Sequence, residues 1–139
     1  MSSILWPMLA QIGWTFLLYV WLTVERARAV AGGEVNYSAF EFSRNEPPSV
    51  ARITRNLANQ FELPVIFYAA VVLLVVIGRV TTLDVLAAWV FVAGRVIHTL
   101  VQARTDDVPL RGRVFVINFL AVLVLIGHVA LLALSGVGL

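Results

Sequence analysis

The chain contains no cysteine and no lysine among its 139 residues, and charged residues make up only 13% of it. The absence of cysteine excludes disulfide bonds, thiolate metal sites and a cysteine nucleophile, so any thiol chemistry requires a thiol supplied by another molecule. A soluble domain usually carries about 25% charged residues. With 60% apolar residues and a mean hydropathy of +0.92, this chain has too few charges for a water-facing surface, and we expect an integral membrane protein.

The mass and the net charge narrow the possible functions further. A chain of 15.3 kDa has room for one domain, residues 1–139, and for no separate soluble enzyme module. The formal net charge is only +2, although the sequence pI is about 9.7. We therefore expect no nucleic-acid partner.

Four windows are long and apolar enough to cross about 30 Å of hydrocarbon, which takes about 20 residues. They cover about residues 4–27, 49–77, 81–103 and 110–135. Pro64 predicts a bend within the second span, because it removes one backbone hydrogen bond. Ser49 is the predicted N-cap of the second span, and Thr81 and Asp84 have capping-box spacing at the start of the third. The sequence thus predicts an all-α bundle of four transmembrane helices.

Arginines are concentrated in two of the connections between spans. The first and third connections, with the helix starts that follow them, contain Arg26, Arg28, Arg44, Arg52, Arg55, Arg104, Arg111 and Arg113. The second connection has Arg79 alone, and neither terminus has an arginine. Since cytoplasmic loops retain positive charge, we expect both termini to face away from the cytoplasm. The short chain and small loops favour a bacterial inner membrane, with the endoplasmic reticulum as the alternative.

The second span has a polar half at a depth where a central Arg or Asp costs about 2.5–3.5 kcal/mol. At 100° per residue, that half contains Arg52, Arg55, Asn56, Asn59 and Glu62. In one interpretation, the arginines extend to anionic headgroups while the amides form hydrogen bonds between helices. In the other, this half of the helix lines a ligand pocket.

Polar stripes on the third and fourth spans favour the pocket. The third span carries Arg95, His98, Thr99 and Gln102 at i, i+3, i+4 and i+7. The fourth span carries Arg111, Phe115 and Asn118 at i, i+4 and i+7. Several arginines and amides with few acids suit an anionic ligand with many acceptors, such as a peptide-like carboxylate compound.

Other kinds of site are not supported by the sequence. No serine lies with a histidine and an acid at positions suited to a hydrolase. His98 and His128 lie on different spans at different depths, so we predict no metal site. His128 is interpreted as an interhelical hydrogen-bond partner, and Asp84 as a helix cap.

Two stretches resemble one known family. The first consists of Arg52, Arg55, Asn56 and Asn59, with Pro64 soon after. It is similar to the Arg-x-x-Arg-Asn-x-x-Glu signature of the membrane-associated proteins in eicosanoid and glutathione metabolism, the MAPEG family. The second, Gly-Arg-Val-Ile-His-Thr at residues 94–99, resembles the third helix of the microsomal prostaglandin E synthase branch. Arg111, sixteen residues past Arg95, falls where that branch has its catalytic arginine.

The resemblance implies a homotrimer that binds glutathione between neighbouring subunits, near the cytoplasmic ends of the helices. Arg111 would be the catalytic residue, because a guanidinium favours the thiolate, which is the nucleophilic form of a thiol. The glutathione-binding residues would be Arg52, Arg55, Asn56, Asn59, Arg95, His98 and Gln102.

The sequence departs from the family pattern at three positions. Asn59 replaces a glutamate that faces the ammonium group of the ligand and pairs with the arginine equivalent to Arg95. Gln102 replaces a tyrosine, and Gly112 stands where the prostaglandin synthase branch has a serine. Glu62, one turn beyond Asn59, is a candidate partner for Arg95.

Two functions remain open at this point. The first is a glutathione-dependent transferase or peroxidase that acts on a lipophilic electrophile entering from the bilayer. The second is a non-catalytic trimeric membrane protein that binds another anionic metabolite or a lipid headgroup. In both, the expected partners are other copies of the chain and membrane lipids.

Overall fold

The computed structural model describes residues 4–43 and 45–136, and within them the chain consists of helices and their connections. The helices are α1 (Leu5–Ala31), α2 (Pro48–Ala58), α3 (Leu63–Ile77), α4 (Thr82–Arg104) and α5 (Val108–Leu134). Two short 3-10 turns lie at Tyr37–Phe40 and Asn59–Phe61.

These helices form four spans that are long and apolar enough to cross a membrane, with α2 and α3 together making the second. Many large apolar side chains face outward. Phe16, Val76 and Leu131, for example, are 67%, 78% and 67% exposed. Such a surface is suited to contact with lipid. The all-α, four-span fold predicted from the sequence is confirmed.

The starts of three helices show how local sequence sets their boundaries. Ser49 is not an N-cap, because α2 begins at Pro48, and proline fits the first helical turn without a lost hydrogen bond. The capping box at α4 is confirmed: the Asp84 backbone N–H donates to Thr81 Oγ1 at 3.3 Å, and the Thr81 N–H donates to Asp84 Oδ2 at 2.7 Å. Helix α5 starts two residues before Leu110, with Asp107 as its cap.

The other helix ends differ from the predicted limits by about one turn or less. Helix α1 continues to Ala31, because its last two turns consist mainly of Glu, Arg and Ala, which favour helices. Helix α5 ends at Leu134. Arg44 and residues 137–139 lie outside the described residues.

The second span is interrupted about one turn before the predicted bend at Pro64. Helix α2 ends at Ala58, and α3 begins at Leu63 after the 3-10 turn and Glu62. Pro64 therefore lies in the first turn of α3, where its missing N–H costs little. The interruption separates the amphipathic α2 from the apolar α3.

Two apolar clusters are separated along the helices by buried polar residues. One cluster joins α3, α4 and α5, and includes Phe67 stacked on Phe91 with ring centroids 4.4 Å apart. The other joins α1 and α2 through residues such as Leu18, Leu22 and Ile53. Between them lies a polar layer composed of Gln11, Asn56, Gln60, Arg95, His98, Thr99, Gln102 and Asn118.

Candidate functional site

One end of the bundle contains a cavity of about 370 Å³ between α2, the end of α4 and the start of α5. Its lining consists of Pro48, Ala51, Arg52, Arg55, Gln102, Thr105, Asp106, Val108 and Arg111. The volume lies within the range of about 300–1,000 Å³ that is common for small-molecule sites. Three guanidinium groups and one carboxylate make this cavity positively charged.

The amphipathic pattern of α2 directs its arginines to the cavity. Val50, Ile53 and Leu57 form an apolar stripe that is buried against α1. Arg52 and Arg55, three residues apart, lie on the other side of the helix and line the cavity. Burial of the apolar stripe thus fixes the side on which the cations lie.

An ion pair crosses the mouth of the cavity. Arg52 Nη2 donates to Asp106 Oδ1 at 2.8 Å, and the two side chains are 36% and 89% exposed. An exposed pair of this kind contributes only about 0–1 kcal/mol, so both groups remain available to a ligand. Sequence reasoning missed Asp106, although its place in the short connection just before Arg111 was a usable signal.

Asn56, which is buried in the bundle, forms hydrogen bonds that position Gln102 in the cavity wall. Its Nδ2 donates to Gln102 Oε1 at 3.1 Å, and its Oδ1 accepts from Thr99 Oγ1 at 2.9 Å and from Gln60 Nε2 at 3.2 Å. Asn59 Nδ2 also donates to Gln102 Oε1, at 3.4 Å. These bonds join α2 to α4 and orient Gln102, whose side chain lines the cavity.

The same hydrogen-bond network extends to α1. Gln11 Nε2 donates to Gln60 Oε1 at 3.0 Å, and Trp14 Nε1 donates to Thr99 Oγ1 at 3.3 Å. Deep in the bundle, polar residues therefore form hydrogen bonds between helices. The hydrogen bonds between helices that one interpretation expects of the amides are present, while Arg52 and Arg55 of the same helix line the cavity.

Arg95 and His98 are buried in the polar layer, at 1% and 4% exposure. Arg95 Nη2 donates to the backbone carbonyl of Asn59 at 3.0 Å. The suggested partner Glu62 is exposed and forms no ion pair with Arg95 within the described part of the chain. In that same part of the chain, His98 Nδ1 has no hydrogen-bond partner.

The structure thus divides the predicted site residues into two groups. Those that line the cavity are Arg52, Arg55, Arg111 and Gln102, of which Gln102 also belongs to the polar layer. Those in or beside the polar layer are Asn56, Asn59, Arg95 and His98. Helical periodicity predicted the helix face of each residue, but it could not predict the depth of burial.

A model of the MAPEG family matches residues 4–131, nearly the whole chain. The chain belongs to the MAPEG family. Comparison with curated proteins found no match, and comparison with solved structures found none. The MAPEG match and the four apolar helices together identify an integral, multi-pass membrane protein. The family includes glutathione transferases and peroxidases, and MAPEG members are trimeric.

Proposed function

We propose that this MAPEG protein is a glutathione-dependent transferase or peroxidase that acts on a lipophilic electrophile. The observation that carries the proposal is the grouping of Arg52, Arg55 and Arg111 around one cavity at the end of a membrane-spanning bundle. Ionised glutathione has two carboxylates and a thiolate, and guanidinium groups bind such anions strongly. Family membership supports the same conclusion, because glutathione enzymes belong to this family.

Each lining residue has a proposed role. Arg52 and Arg55 bind the carboxylates of glutathione, and Gln102 forms hydrogen bonds with its peptide groups. Arg111 is the catalytic residue and stabilises the thiolate. These roles match the charge and hydrogen-bonding capacity of each side chain.

The remaining predicted residues act less directly in this proposal. Asn56 and Asn59 orient Gln102, to which both donate hydrogen bonds. Arg95 and His98 belong to the polar layer behind the cavity, and Arg95 fixes the turn after α2 through the Asn59 carbonyl. Their proposed contribution to glutathione binding is to hold this wall in place.

The thiolate is the nucleophile in both reactions. In conjugation, its sulfur forms a bond to the electrophilic carbon, and the leaving group departs with the bonding electrons. In peroxide reduction, the sulfur takes one peroxide oxygen, and the other leaves as an alkoxide that is protonated to an alcohol. A second glutathione then converts the sulfenic acid to glutathione disulfide and water. Proximity and ionisation of the thiol supply the rate enhancement.

The proposed assembly is a homotrimer in a bacterial inner membrane, with both termini facing away from the cytoplasm. The trimer is supported by the family, and the orientation by the arginines of the connections at the cavity end. Nearness to the prostaglandin E synthase branch is supported only by residues 94–99 and the spacing from Arg95 to Arg111.

Calorimetric titration of the detergent-purified protein with glutathione tests this function. Arg52→Ala should weaken binding about tenfold or more, because a charge-assisted hydrogen bond is lost. Arg111→Ala should abolish turnover and the ultraviolet absorbance of the bound thiolate. Arg113→Ala is the matched control, since Arg113 is an exposed arginine of the same helix that does not line the cavity.

The result that would contradict the proposal is the absence of binding heat at millimolar glutathione. That result would favour the non-catalytic function, in which the cavity binds another anionic metabolite or a lipid headgroup. Mass spectrometry of copurifying lipids and anionic metabolites would then identify the ligand.

A further inference from the structure

We propose that Asp106 receives the ammonium group of the ligand and makes the cavity selective for a ligand with an α-amino acid group. This inference rests on the proposed function, because the γ-glutamyl end of glutathione carries an ammonium and a carboxylate on one carbon. It assigns to the acid of the cavity a role in specificity.

A ligand ammonium in this cavity needs a nearby negative charge. Among the described residues that line it, Asp106 is the single carboxylate beside Arg52, Arg55 and Arg111. A ligand ammonium would otherwise face three guanidinium groups, and like charges brought together without an opposing charge disfavour binding. A zwitterionic ligand therefore needs Asp106, whereas a simple anion does not.

The pairing of Asp106 with Arg52 matches the shape of an α-amino acid group. Asp106 Oδ1 lies 2.8 Å from Arg52 Nη2, so an anion and a cation stand side by side at the mouth of the cavity. An ammonium and a carboxylate on one carbon present the complementary pair of charges. Arg52 would take the carboxylate of the ligand, while Asp106 takes its ammonium.

Asp106 has hydrogen-bonding capacity left for this role. A carboxylate offers two oxygens and about four lone-pair sites. Only Oδ1 is occupied by a side chain of the described residues, and the Asp106 side chain is 89% exposed. It can therefore accept from an ammonium without releasing Arg52.

The neighbouring acids are not placed for this role. Asp107 Oδ1 accepts from the Leu110 backbone N–H at 2.8 Å and caps α5. Glu62 is exposed and does not line the cavity. Asp107 is thus a structural acid one residue away, which makes it a matched control.

The test compares glutathione with its analogue in which hydrogen replaces the ammonium group, by calorimetry on the full-length protein. We expect the wild type to bind glutathione up to about fivefold more tightly than the analogue, since the Asp106 side chain is exposed. Asp106→Asn should remove this preference by weakening glutathione binding, with analogue affinity changed less than about twofold. Asp107→Asn should preserve it, since Asn caps helices as well as Asp and the charge change is the same.

Three results would overturn the inference while leaving the glutathione proposal standing. Equal binding of both ligands by the wild type would show that the ammonium is not recognised. Tighter binding of both ligands by Asp106→Asn would mean that Asp106 competes with the ligand for Arg52. Equal weakening of the binding of both ligands by Asp106→Asn would mean that the substitution alters the loop conformation and that Asp106 does not recognise the ammonium. If the wild type binds neither ligand, the glutathione proposal itself fails, and the role of Asp106 fails with it.

Discussion

The imidazole of His128 on α5 lies 2.9 Å from the carboxylate of Asp84 on α4, measured from Nδ1 to Oδ2. Asp84 is only 1% exposed, and Oδ2 also accepts from the backbone N–H and the hydroxyl of Thr81, each at 2.7 Å. One carboxylate thus caps α4 and joins it to α5. Both sequence interpretations, Asp84 as a cap and His128 as an interhelical partner, are confirmed.

Asp84→Ala should lower the free energy of unfolding by about 1–3 kcal/mol, because it removes a helix cap and the hydrogen bond between α4 and α5. Denaturant titration of the detergent-purified protein, followed by loss of helicity, measures the change. Asp84→Asn should cost less, since the amide oxygen of asparagine can still accept a hydrogen bond from the Thr81 backbone N–H at the start of α4. Unchanged stability in Asp84→Ala would contradict this role.

Gly94 allows α5 to approach α4 closely. A Cβ at position 94 would lie 1.9 Å from Asn118 Oδ1, and Asn118 is fully buried, so its side chain has little room to move. Gly94→Ala should therefore destabilise the protein by about 1–3 kcal/mol. Unfolding free energies of Gly94→Ala, Asn118→Ala and the double variant measure the coupling, and the double variant should recover part of the loss.

The control for this pair is Gly127→Ala. A Cβ at Gly127 would meet nothing within 4 Å, so alanine should be neutral or stabilise the helix by about 0.5–1 kcal/mol. A similar stability change in Gly94→Ala and Gly127→Ala would show that the contact with Asn118 is not tight.

The first connection is joined to α1 by an ion pair of which the carboxylate is buried and the guanidinium is 29% exposed. Arg26 Nη2 lies 2.6 Å from Glu46 Oε1, the Glu46 side chain is 1% exposed, and the Arg26 guanidinium lies 5.0 Å from the ring centroid of Phe40. Arg26→Ala would leave a buried carboxylate without its cation, at a cost of up to about 3 kcal/mol, the lower limit for a fully buried pair. We expect faster hydrogen exchange of the amides between residues 33 and 43.

The matched variant for that measurement is Arg28→Ala. Arg28 pairs with Glu25 on the same helix, but its side chain is 72% exposed, so its loss should change stability by less than about 1 kcal/mol. If both variants show the same exchange rates, the pair with Glu46 does not hold the connection.

Asn56→Ala should destabilise the contact between α2 and α4 by about 1–3 kcal/mol, because Gln102, Thr99 and Gln60 each lose a partner. Thr99→Val removes one of these bonds and the acceptor of Trp14 Nε1, but it preserves the side-chain shape and leaves the bonds of Asn56 to Gln102 and Gln60, so it should cost less. Unfolding free energies of the two variants give the comparison. A larger effect of Thr99→Val would show that Asn56 is not the centre of the network.

Much of the fold could be predicted because its signals are local. Apolar windows predicted the spans, and the spacing of Thr81 and Asp84 predicted the start of α4. The interruption at Asn59–Phe61 was expected about one turn later, near Pro64. Proline shows where a helical hydrogen bond is missing, but packing of the adjacent helices determines which turn unwinds.

The candidate site was predictable only in part, for a related reason. Arg52 and Arg111 could be assigned to one end of the bundle, because arginines near the ends of membrane spans are concentrated on the cytoplasmic side of the bilayer. Whether a neighbouring helix covers a polar side chain, as at His98, depends on tertiary packing. The pairing of Arg52 with Asp106 depends on the conformation of a short loop, which leaves no periodic signal in the sequence.

Within the described residues, Arg95 is held by the main-chain carbonyl of Asn59 rather than by a carboxylate. Every residue type has that oxygen, so position 59 is free to change its side chain without depriving the guanidinium of its acceptor. What Arg95 requires is the conformation of the turn between α2 and α3, which directs the Asn59 carbonyl toward α4. The acceptor of this buried guanidinium thus depends on the course of the backbone, and a variant that straightened the turn should affect Arg95 more than a change of the Asn59 side chain that leaves the turn intact.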